Sequence, residues 1–377
     1  MAVDPVIEAF RGLAAVMVLV HHYSYALERP AGLSFAWLHF FHNGVDLFFV
    51  ISGFLFAPYL LGEASIGPLA FIIRRAFRLY PLYFISLTLG GLTLWYDKKD
   101  VIPEFIKHIF FLQALPVFSL SQVGFFSLIY WTLPVEVAFY GLVLFLLVRP
   151  VDKITRITPN DQKKSRRFIC LGLFSVIGFL STYGWKLDIQ SESWVLRQAQ
   201  LPALLLEFWF GIALHRLLLD YKFSRSRCVF LLSFGLLLLV LLMLRYPQIA
   251  QISLTARPFG FFSVFSALGY ACVLGGCLGL YRHRQCRSTS RFSLRSVCYF
   301  MGAISYGCYL FHEWSILMLS RYSHILSPGV KVALAFMVTS VLATVMHFFI
   351  EKPCRQFGRR LAALYIPKQV GGQACST

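Results

Sequence analysis

The segment FRGLAAVMVLVHHYSY, residues 10–25, decides the fold class, because it is a long apolar run with an ionisable residue near each end. Every residue between Arg11 and His21 is apolar or glycine. Arg11 and His22 lie eleven positions apart, which in a helix is about three turns and about 16 Å, so their side chains share one face. The segment therefore predicts a membrane-spanning helix that holds an imidazole near the middle of the bilayer.

The Arg11–His22 pair has two interpretations. Ionisable groups inside a membrane are costly and usually mark a functional site, which favours catalysis or binding. Alternatively, His22 is a packed, hydrogen-bonded core histidine and Arg11 anchors the edge of the membrane. The common face of the two side chains favours the functional interpretation. His21 lies about 80° away around the helix, so the functional role is assigned to His22.

The composition of the whole chain indicates a membrane protein. Of its 377 residues, 58% are hydrophobic and 14% are charged, whereas a soluble domain carries about 25% charged residues. We therefore predict an all-α, polytopic integral membrane protein with about ten transmembrane helices, one domain over residues 1–366, and a disordered cytoplasmic tail over residues 367–377. The predicted spans are residues 9–27, 44–62, 79–97, 128–148, 168–185, 200–219, 228–244, 259–281, 298–320 and 331–350.

The distribution of basic residues predicts the orientation in the membrane. The formal net charge of +18 would fit a nucleic-acid-binding protein. With the N-terminus inside, however, 25 of the 35 Lys and Arg residues fall in inner segments and 10 in outer loops. This asymmetry follows the positive-inside rule and argues against a nucleic-acid partner. It predicts both termini in the cytoplasm and a multi-pass protein of the cytoplasmic (inner) membrane, in contact with anionic lipids.

The cysteines indicate neither disulfides nor a metal site. All nine lie in predicted spans or on the inner side, where no oxidising compartment would pair them. The sequence has no CxxC and no Cys/His spacing typical of metal ligands. We therefore expect no metal site and no permanently bound cofactor.

Two carboxylates at or inside predicted spans are candidate catalytic groups. Asp46 opens the second span on its outer side, where it could orient the imidazole of His22, as the third member of a catalytic triad does. It could equally be a first-turn acid that favours the positive end of the helix. Glu136 lies about one turn inside the fourth span and needs a partner there.

A pair of arginines precedes the third span. Arg75 and Arg78 are three positions apart and share a helix face, and two guanidinium groups on one face suit a phosphate. The stretch alone favours the simpler interpretation that they anchor the inner membrane surface, and Arg74 points elsewhere. For His312 and Glu351, in the ninth span and at the end of the tenth, we favour a structural role.

Six segments carry a resemblance to a known family: RGLAAVMVLVHH, GVDLFFVISGFL, RRAFRLYPLY, WTLPVEVAFY, ISYGCYLFH and FIEKPCR. In this order they resemble the motifs of the acyltransferase-3 family of integral membrane enzymes, over residues 9–360. The resemblance places the family's Arg-x10-His motif on Arg11 and His22, its Arg-x-x-Arg motif on Arg75 and Arg78, its acidic residue on Asp46, and its Trp-(Ser/Thr)-Leu-x-x-Glu motif on Trp131, Thr132, Leu133 and Glu136.

The resemblance implies an activity and a division of roles. Family members take an acyl group, usually acetyl, from cytoplasmic acyl-CoA and deliver it to a sugar hydroxyl on lipopolysaccharide O-antigen, peptidoglycan, exopolysaccharide or a lipid-linked precursor. The implied partners are acyl-CoA (acetyl-CoA) as donor substrate, a glycan or lipid-linked sugar as acceptor, and membrane lipids. The expected catalytic residues are His22, Asp46 and Glu136. The expected donor-binding residues are Arg11, Arg75 and Arg78.

Two other functions would also place ionisable groups near the membrane midplane. One is a transporter or flippase for a lipid-linked glycan, although the sequence shows no inverted repeat and no matched pair of broken helices. The other is a sensor or assembly partner without catalysis. Label from acetyl-CoA would reach a glycan only with the enzyme, and a glycan translocation assay would separate the other two.

The charge asymmetry predicts where reporters fused to the chain will lie. Fusions at Asn160 and Thr377 should report a cytoplasmic position and a fusion near Glu104 an external one, because these positions fall on opposite sides of the predicted spans. Paired alkaline phosphatase and green fluorescent protein fusions measure this. A cytoplasmic result near Glu104 would contradict the ten-span topology.

Overall fold

The structure is a computed structural model, and the residues that it describes are helical apart from short turns and helix ends. No strand occurs in the described ranges, which confirms the predicted all-α fold class. The described residues are 4–31, 36–64, 66–94, 101–112, 128–148, 160–183, 201–220, 223–252, 256–285, 292–320 and 326–365.

The described ranges contain twelve α-helices, linked in places by short 3₁₀ and π segments. The α-helices are α1 (Pro5–Ala31), α2 (Gly44–Leu60), α3 (Pro68–Leu94), α4 (Val101–Ile109), α5 (Thr132–Val148), α6 (Asn160–Tyr183), α7 (Leu201–Asp220), α8 (Arg225–Ile252), α9 (Ala256–Gln285), α10 (Phe292–Ser320), α11 (Pro328–Met346) and α12 (Lys352–Ala363). The 3₁₀ helices Ala36–Asn43 and Leu128–Trp131 precede α2 and α5, and a π-helical turn, His347–Glu351, joins α11 to α12.

Within the described ranges, every predicted span falls on one of these helices. Seven helical segments of the described chain are long and apolar enough to cross a membrane, and they involve α1, α2, α5, α7, α8, α9 and the continuous α11–α12 segment. The other three predicted spans fall on α3, α6 and α10, which are not among these seven segments. A multi-pass membrane protein is confirmed. Ten crossings and cytoplasmic termini remain predictions, and residues 367–377 lie outside the described ranges.

The helices pack in pairs around buried aromatic contacts. α1 lies along α10, α2 along α7, and α8 along α9. Where α2, α5 and α7 meet, the Phe139 and Phe208 rings stack with centroids 4.0 Å apart, and the Phe49 ring lies 4.8 Å from that of Phe208. α8 instead exposes large apolar side chains such as Phe230, as expected for a helix that faces lipid.

Two glycines allow α2 and α7 to approach closely. A Cβ atom placed on Gly53 would lie 1.9 Å from the Phe208 carbonyl oxygen, and one on Gly211 would lie 2.0 Å from the Val50 carbonyl oxygen. The obstructing atoms belong to the backbone and cannot move alone. Small residues at helix contacts are typical of membrane proteins, where close packing drives helix association. α2 is therefore held at a fixed distance from α7.

Adding a methyl group at either glycine should destabilise the protein. We expect Gly53→Ala and Gly211→Ala each to cost about 1–3 kcal/mol, because the helices must separate to admit the side chain. Gly141→Ala is the matched control, since no atom lies within 4 Å of a Cβ at that position of α5 and alanine favours a helix. Thermal unfolding of the detergent-solubilised protein measures the difference. Equal midpoints for all three variants would contradict the close packing of α2 and α7.

Candidate functional site

A cavity lies between α1, α2, α3, α5 and α10, with an empty volume of about 710 Å³. Its wall combines apolar side chains with a few polar groups from positions that are far apart in the sequence. Such a space is typical of a ligand site. The polar and charged residues that line the cavity are Arg11, Ser52, Arg78, Thr132, Glu136, Ser305, Tyr306 and Tyr309.

Arg11 reaches the cavity from the first turns of α1 and has a carboxylate partner on its own helix. Glu8 lies one turn earlier, and its two oxygens accept hydrogen bonds from the Arg11 guanidinium at 3.1 and 3.2 Å. Both side chains are buried, and Gly302 of α10 leaves room for Glu8. A guanidinium buried without a partner would be costly, so Glu8 makes this position of Arg11 possible.

The two arginines of α3 have different surroundings. Arg78 lines the cavity, interacts electrostatically with Glu136 and Tyr140, and makes no ion pair among the described residues. Arg75, one turn earlier, is not part of the cavity wall. Its guanidinium carbon lies 4.7 Å from the centroid of the Phe56 ring. Arg75 is thus held by an aromatic ring, and Arg78 is the arginine of the pair that a ligand in the cavity would meet.

α5 places a carboxylate and a hydroxyl on the cavity wall. It begins at Thr132, directly after the 3₁₀ helix Leu128–Trp131, so Thr132 and Glu136 are four positions apart and share a face. Glu136 accepts a hydrogen bond from the Tyr140 hydroxyl. The Thr132 hydroxyl lies 2.7 Å from that of Tyr309. Glu136 therefore has the partner that its position in an apolar helix requires.

His22 lies beyond the cavity, farther along α1. Its ring centroid is 4.8 Å from that of His312 on α10, and the His312 ring is 6.0 Å from that of Tyr309, which lines the cavity. The series Tyr309, His312 and His22 thus connects the cavity to the predicted catalytic imidazole. Tyr23 stabilises this region, because its buried hydroxyl lies 2.7 Å from that of Thr339 and donates to the His312 carbonyl oxygen at 3.1 Å.

His312 has an acceptor nitrogen that points into this region of the site. Its Nδ1 donates to the Tyr309 carbonyl oxygen at 2.8 Å, so in the neutral ring Nε2 is an acceptor. Nε2 is buried and makes no hydrogen bond within the described part of the chain. The sequence favoured a structural role for His312, whereas its place beside His22 makes it a candidate member of the site.

His21 contacts other groups than His22 does. Its Nδ1 lies 3.0 Å from the His39 carbonyl oxygen, and its ring centroid lies 5.6 Å from that of His42. Both partners belong to the 3₁₀ helix Ala36–Asn43. The two adjacent rings lie 5.0 Å apart and both interact electrostatically with His42, whereas the contact with the His312 ring is made by His22.

Asp46 lies in the first turn of α2 but is not part of the cavity wall. Its carboxyl group interacts electrostatically with that of Glu207 on α7, and within the described residues Asp46 Oδ2 and Glu207 Oε2 make no hydrogen bond. Both acids are buried. The two acids face each other between α2 and α7. The structure thus brings Asp46 to Glu207, not to His22.

The predicted site residues therefore separate into two sets. The cavity brings together Arg11, Arg78 and Glu136, whereas His22, Asp46 and Arg75 lie outside its wall. Sequence reasoning missed Glu207, although it is the one acid in predicted span 200–219 and that isolation is a usable signal. It also missed the linking role of Tyr309, since tyrosines in membrane proteins are common for other reasons.

The arrangement suits anion binding at one end and proton transfer at the other. Arg11 and Arg78 present guanidinium groups to the cavity, and guanidinium groups pair well with phosphates. His312 and His22, past Tyr309, are imidazoles of the kind that serve in acid–base chemistry. Across the described ranges, no group of three or more His, Cys, Asp or Glu side chains is arranged to hold a metal ion. The cysteines in those ranges are free thiols.

The chain is similar in sequence to known acyltransferases. A family model described as an acyltransferase domain matches residues 4–349. The O-acetyltransferase OatA of Staphylococcus aureus is 25% identical over 387 aligned positions, which cover 97% of this chain and 59% of OatA. A Komagataeibacter xylinus protein named as a membrane-bound transacylase, BcsY, is 27% identical over 191 residues, which cover 48% of this chain and 44% of that protein. The chain thus matches about half the length of each relative, and no solved structure matches it.

Proposed function

This chain belongs to the acyltransferase-3 family, and from that premise we propose that it moves an acetyl group from cytoplasmic acetyl-CoA to a hydroxyl of a glycan. The acceptor is a sugar of a cell-surface polysaccharide, of lipopolysaccharide O-antigen or of a lipid-linked precursor. The reaction takes place in the cytoplasmic (inner) membrane. The name of OatA, an O-acetyltransferase, supports both the acetyl group and a hydroxyl acceptor.

The observation that supports this proposal is that the two ends of the site differ in chemistry. Arg11 and Arg78 line a cavity at one end, and the rings of Tyr309 and His312 lead from it to His22. Acyl-CoA is divided in the same way, with anionic phosphates at one end of an extended arm and a thioester at the other. The distance of about 16 Å from Arg11 to His22 along α1 is of the order of the pantetheine arm.

The cavity end binds the donor. Arg78 is the primary ligand of a donor phosphate, because no ion pair within the described chain occupies its guanidinium group. Arg11 adds a second guanidinium, whose charge is partly balanced by Glu8. Arg75 affects donor binding indirectly, because it packs on Phe56 and adds positive charge next to Arg78. Glu136 orients Arg78 electrostatically. The apolar remainder of the wall accommodates the arm.

The histidine end carries out the transfer. His22 takes the proton of the acceptor hydroxyl while that oxygen attacks the thioester carbonyl carbon. The carbon–sulfur bond then breaks, and the proton passes from His22 to the departing sulfur, so CoA leaves as the thiol. The His312 ring, whose centroid lies 4.8 Å from that of His22, packs against it and positions it for this proton transfer. Asp46 acts indirectly, because it faces Glu207 on α7 rather than His22.

A transporter of a lipid-linked glycan is not favoured as the alternative. The relatives are named as an O-acetyltransferase and a transacylase. Isolated membranes supplied with acetyl-CoA labelled in the acetyl group distinguish the two. The enzyme moves the label to a glycan, whereas a transporter or sensor leaves it on CoA or in free acetate. Glycan analysis of a deletion strain then identifies the acceptor.

Replacing His22 should abolish acyl transfer without unfolding the protein. We expect His22→Ala to lower the rate at least about a hundredfold, because general base catalysis contributes about 10²–10⁴-fold. His21→Ala is the matched control and should keep substantial activity, because its ring contacts His39 and His42 instead. Transfer of labelled acetyl and the yield of folded protein are both measured. The reverse order of effects would refute the assignment of the base.

The three arginines of α3 should affect donor binding to different extents. Arg78→Ala should weaken acetyl-CoA binding about ten- to hundredfold, because one charge-assisted contact is worth about 1.5–3 kcal/mol. Arg75→Ala should weaken it less, since Arg75 packs on Phe56 outside the cavity wall. Arg74→Ala should have the smallest effect. Titration of the purified protein with acetyl-CoA measures all three. Equal, small effects would favour a membrane-anchoring role for these arginines.

A further inference from the structure

A second cavity lies on the surface where the π-helical turn meets α12. Its empty volume is about 500 Å³, and it is lined by His347, Lys352, Arg355, Gln356 and Arg359. The four residues from α12 are spaced three, four and seven positions from the first, so they fall on one helix face. The wall of this basic pocket is therefore formed by cationic, imidazole and amide side chains.

The acid that contacts the basic pocket does not neutralise it. Glu351 is buried, and both of its oxygens are occupied: Oε1 accepts a hydrogen bond from Arg355 at 3.1 Å, and Oε2 lies 2.9 Å from His347 Nδ1. Within the described residues, neither Lys352 nor Arg359 makes an ion pair. Glu351 thus holds Arg355 in place, and the positive charges of Lys352 and Arg359 remain available at the surface.

The basic pocket adjoins the end of the central cavity where the donor phosphates are proposed to lie. Arg355 interacts electrostatically with Arg78 and Arg11, which line that cavity. α12 also packs against α3, where a Cβ on Gly358 would lie 2.5 Å from the Phe77 Cβ. The pocket is therefore fixed relative to the helix that carries Arg78. A ligand held in the pocket can extend from there toward the cavity.

We propose that the basic pocket binds a phosphate ester, with Arg355 and Arg359 as guanidinium donors and Lys352 as a further cation. This inference rests on the proposed function for its first source of phosphate, which is the nucleotide end of acyl-CoA. The arm of the donor then passes Arg78 into the cavity. The phosphate of an anionic lipid headgroup has the same chemistry and is the second source that the experiment separates.

Titration of the full-length protein with CoA tests the first source, in nanodiscs of phosphatidylcholine. We expect the double variant Lys352→Gln/Arg359→Gln to bind CoA at least about tenfold more weakly than the wild type. Arg360→Gln is the control for loss of surface charge, since Arg360 is exposed and does not line the pocket. Dephospho-CoA, which lacks the 3′-phosphate, shows which phosphate the pocket contacts. If the double variant loses affinity for CoA alone, the pocket contacts the 3′-phosphate. If it loses affinity for both CoA and dephospho-CoA, the pocket contacts the pyrophosphate.

Native mass spectrometry of the same variants in nanodiscs with phosphatidylglycerol tests the lipid source. Normal CoA binding with loss of retained phosphatidylglycerol in the double variant would assign the pocket to a lipid phosphate. Wild-type behaviour of the double variant toward both CoA and phosphatidylglycerol would overturn the proposal. If the wild-type protein bound no CoA at all, the acyl-CoA activity would be wrong, and the phosphatidylglycerol result alone would decide the function of the pocket.

Discussion

The buried pair of Arg11 and Glu8 is the interaction on which the site depends. A guanidinium in an apolar bundle needs a counter-charge, and Glu8 supplies it from one turn earlier on α1. Arg78 lines the same cavity and makes no ion pair in the described structure, although Glu136 and Glu351 act on it electrostatically. The cavity wall therefore presents two guanidinium groups, of which Arg11 is paired with Glu8 and Arg78 makes no ion pair within the described residues.

The fold class and part of the site could be predicted because ionisable residues inside apolar runs are rare and costly. This reasoning led from the sequence to Arg11 and Glu136, whereas the donor-binding role of Arg78 came from the family resemblance; all three line the cavity. It also separated His22 from His21, because the angular offset between adjacent helical residues is a property of helix geometry alone. These inferences need only the positions of residues along one helix, so they do not depend on how the helices pack.

Contacts between helices could not be predicted in the same way. The carboxyl of Asp46 meets Glu207 because α2 and α7 approach through glycines, and nothing in the local pattern identifies that neighbour. The spacing of Arg75 and Arg78 places them on one helix face. In the structure, however, Arg75 packs over the Phe56 ring, whereas Arg78 lines the cavity. Tertiary packing determines both contacts, and the local sequence pattern does not show which helices pack against each other.

We propose that donor and acceptor approach from opposite ends of α1, which carries Arg11 near one end and His22 three turns away. Sealed vesicles of known orientation test this most directly, with labelled acetyl-CoA supplied only to the cytoplasmic face and the glycan acceptor confined to the other face. The account predicts label on the acceptor and free CoA on the cytoplasmic side. Transfer that occurs only when both substrates are on the cytoplasmic face would contradict it.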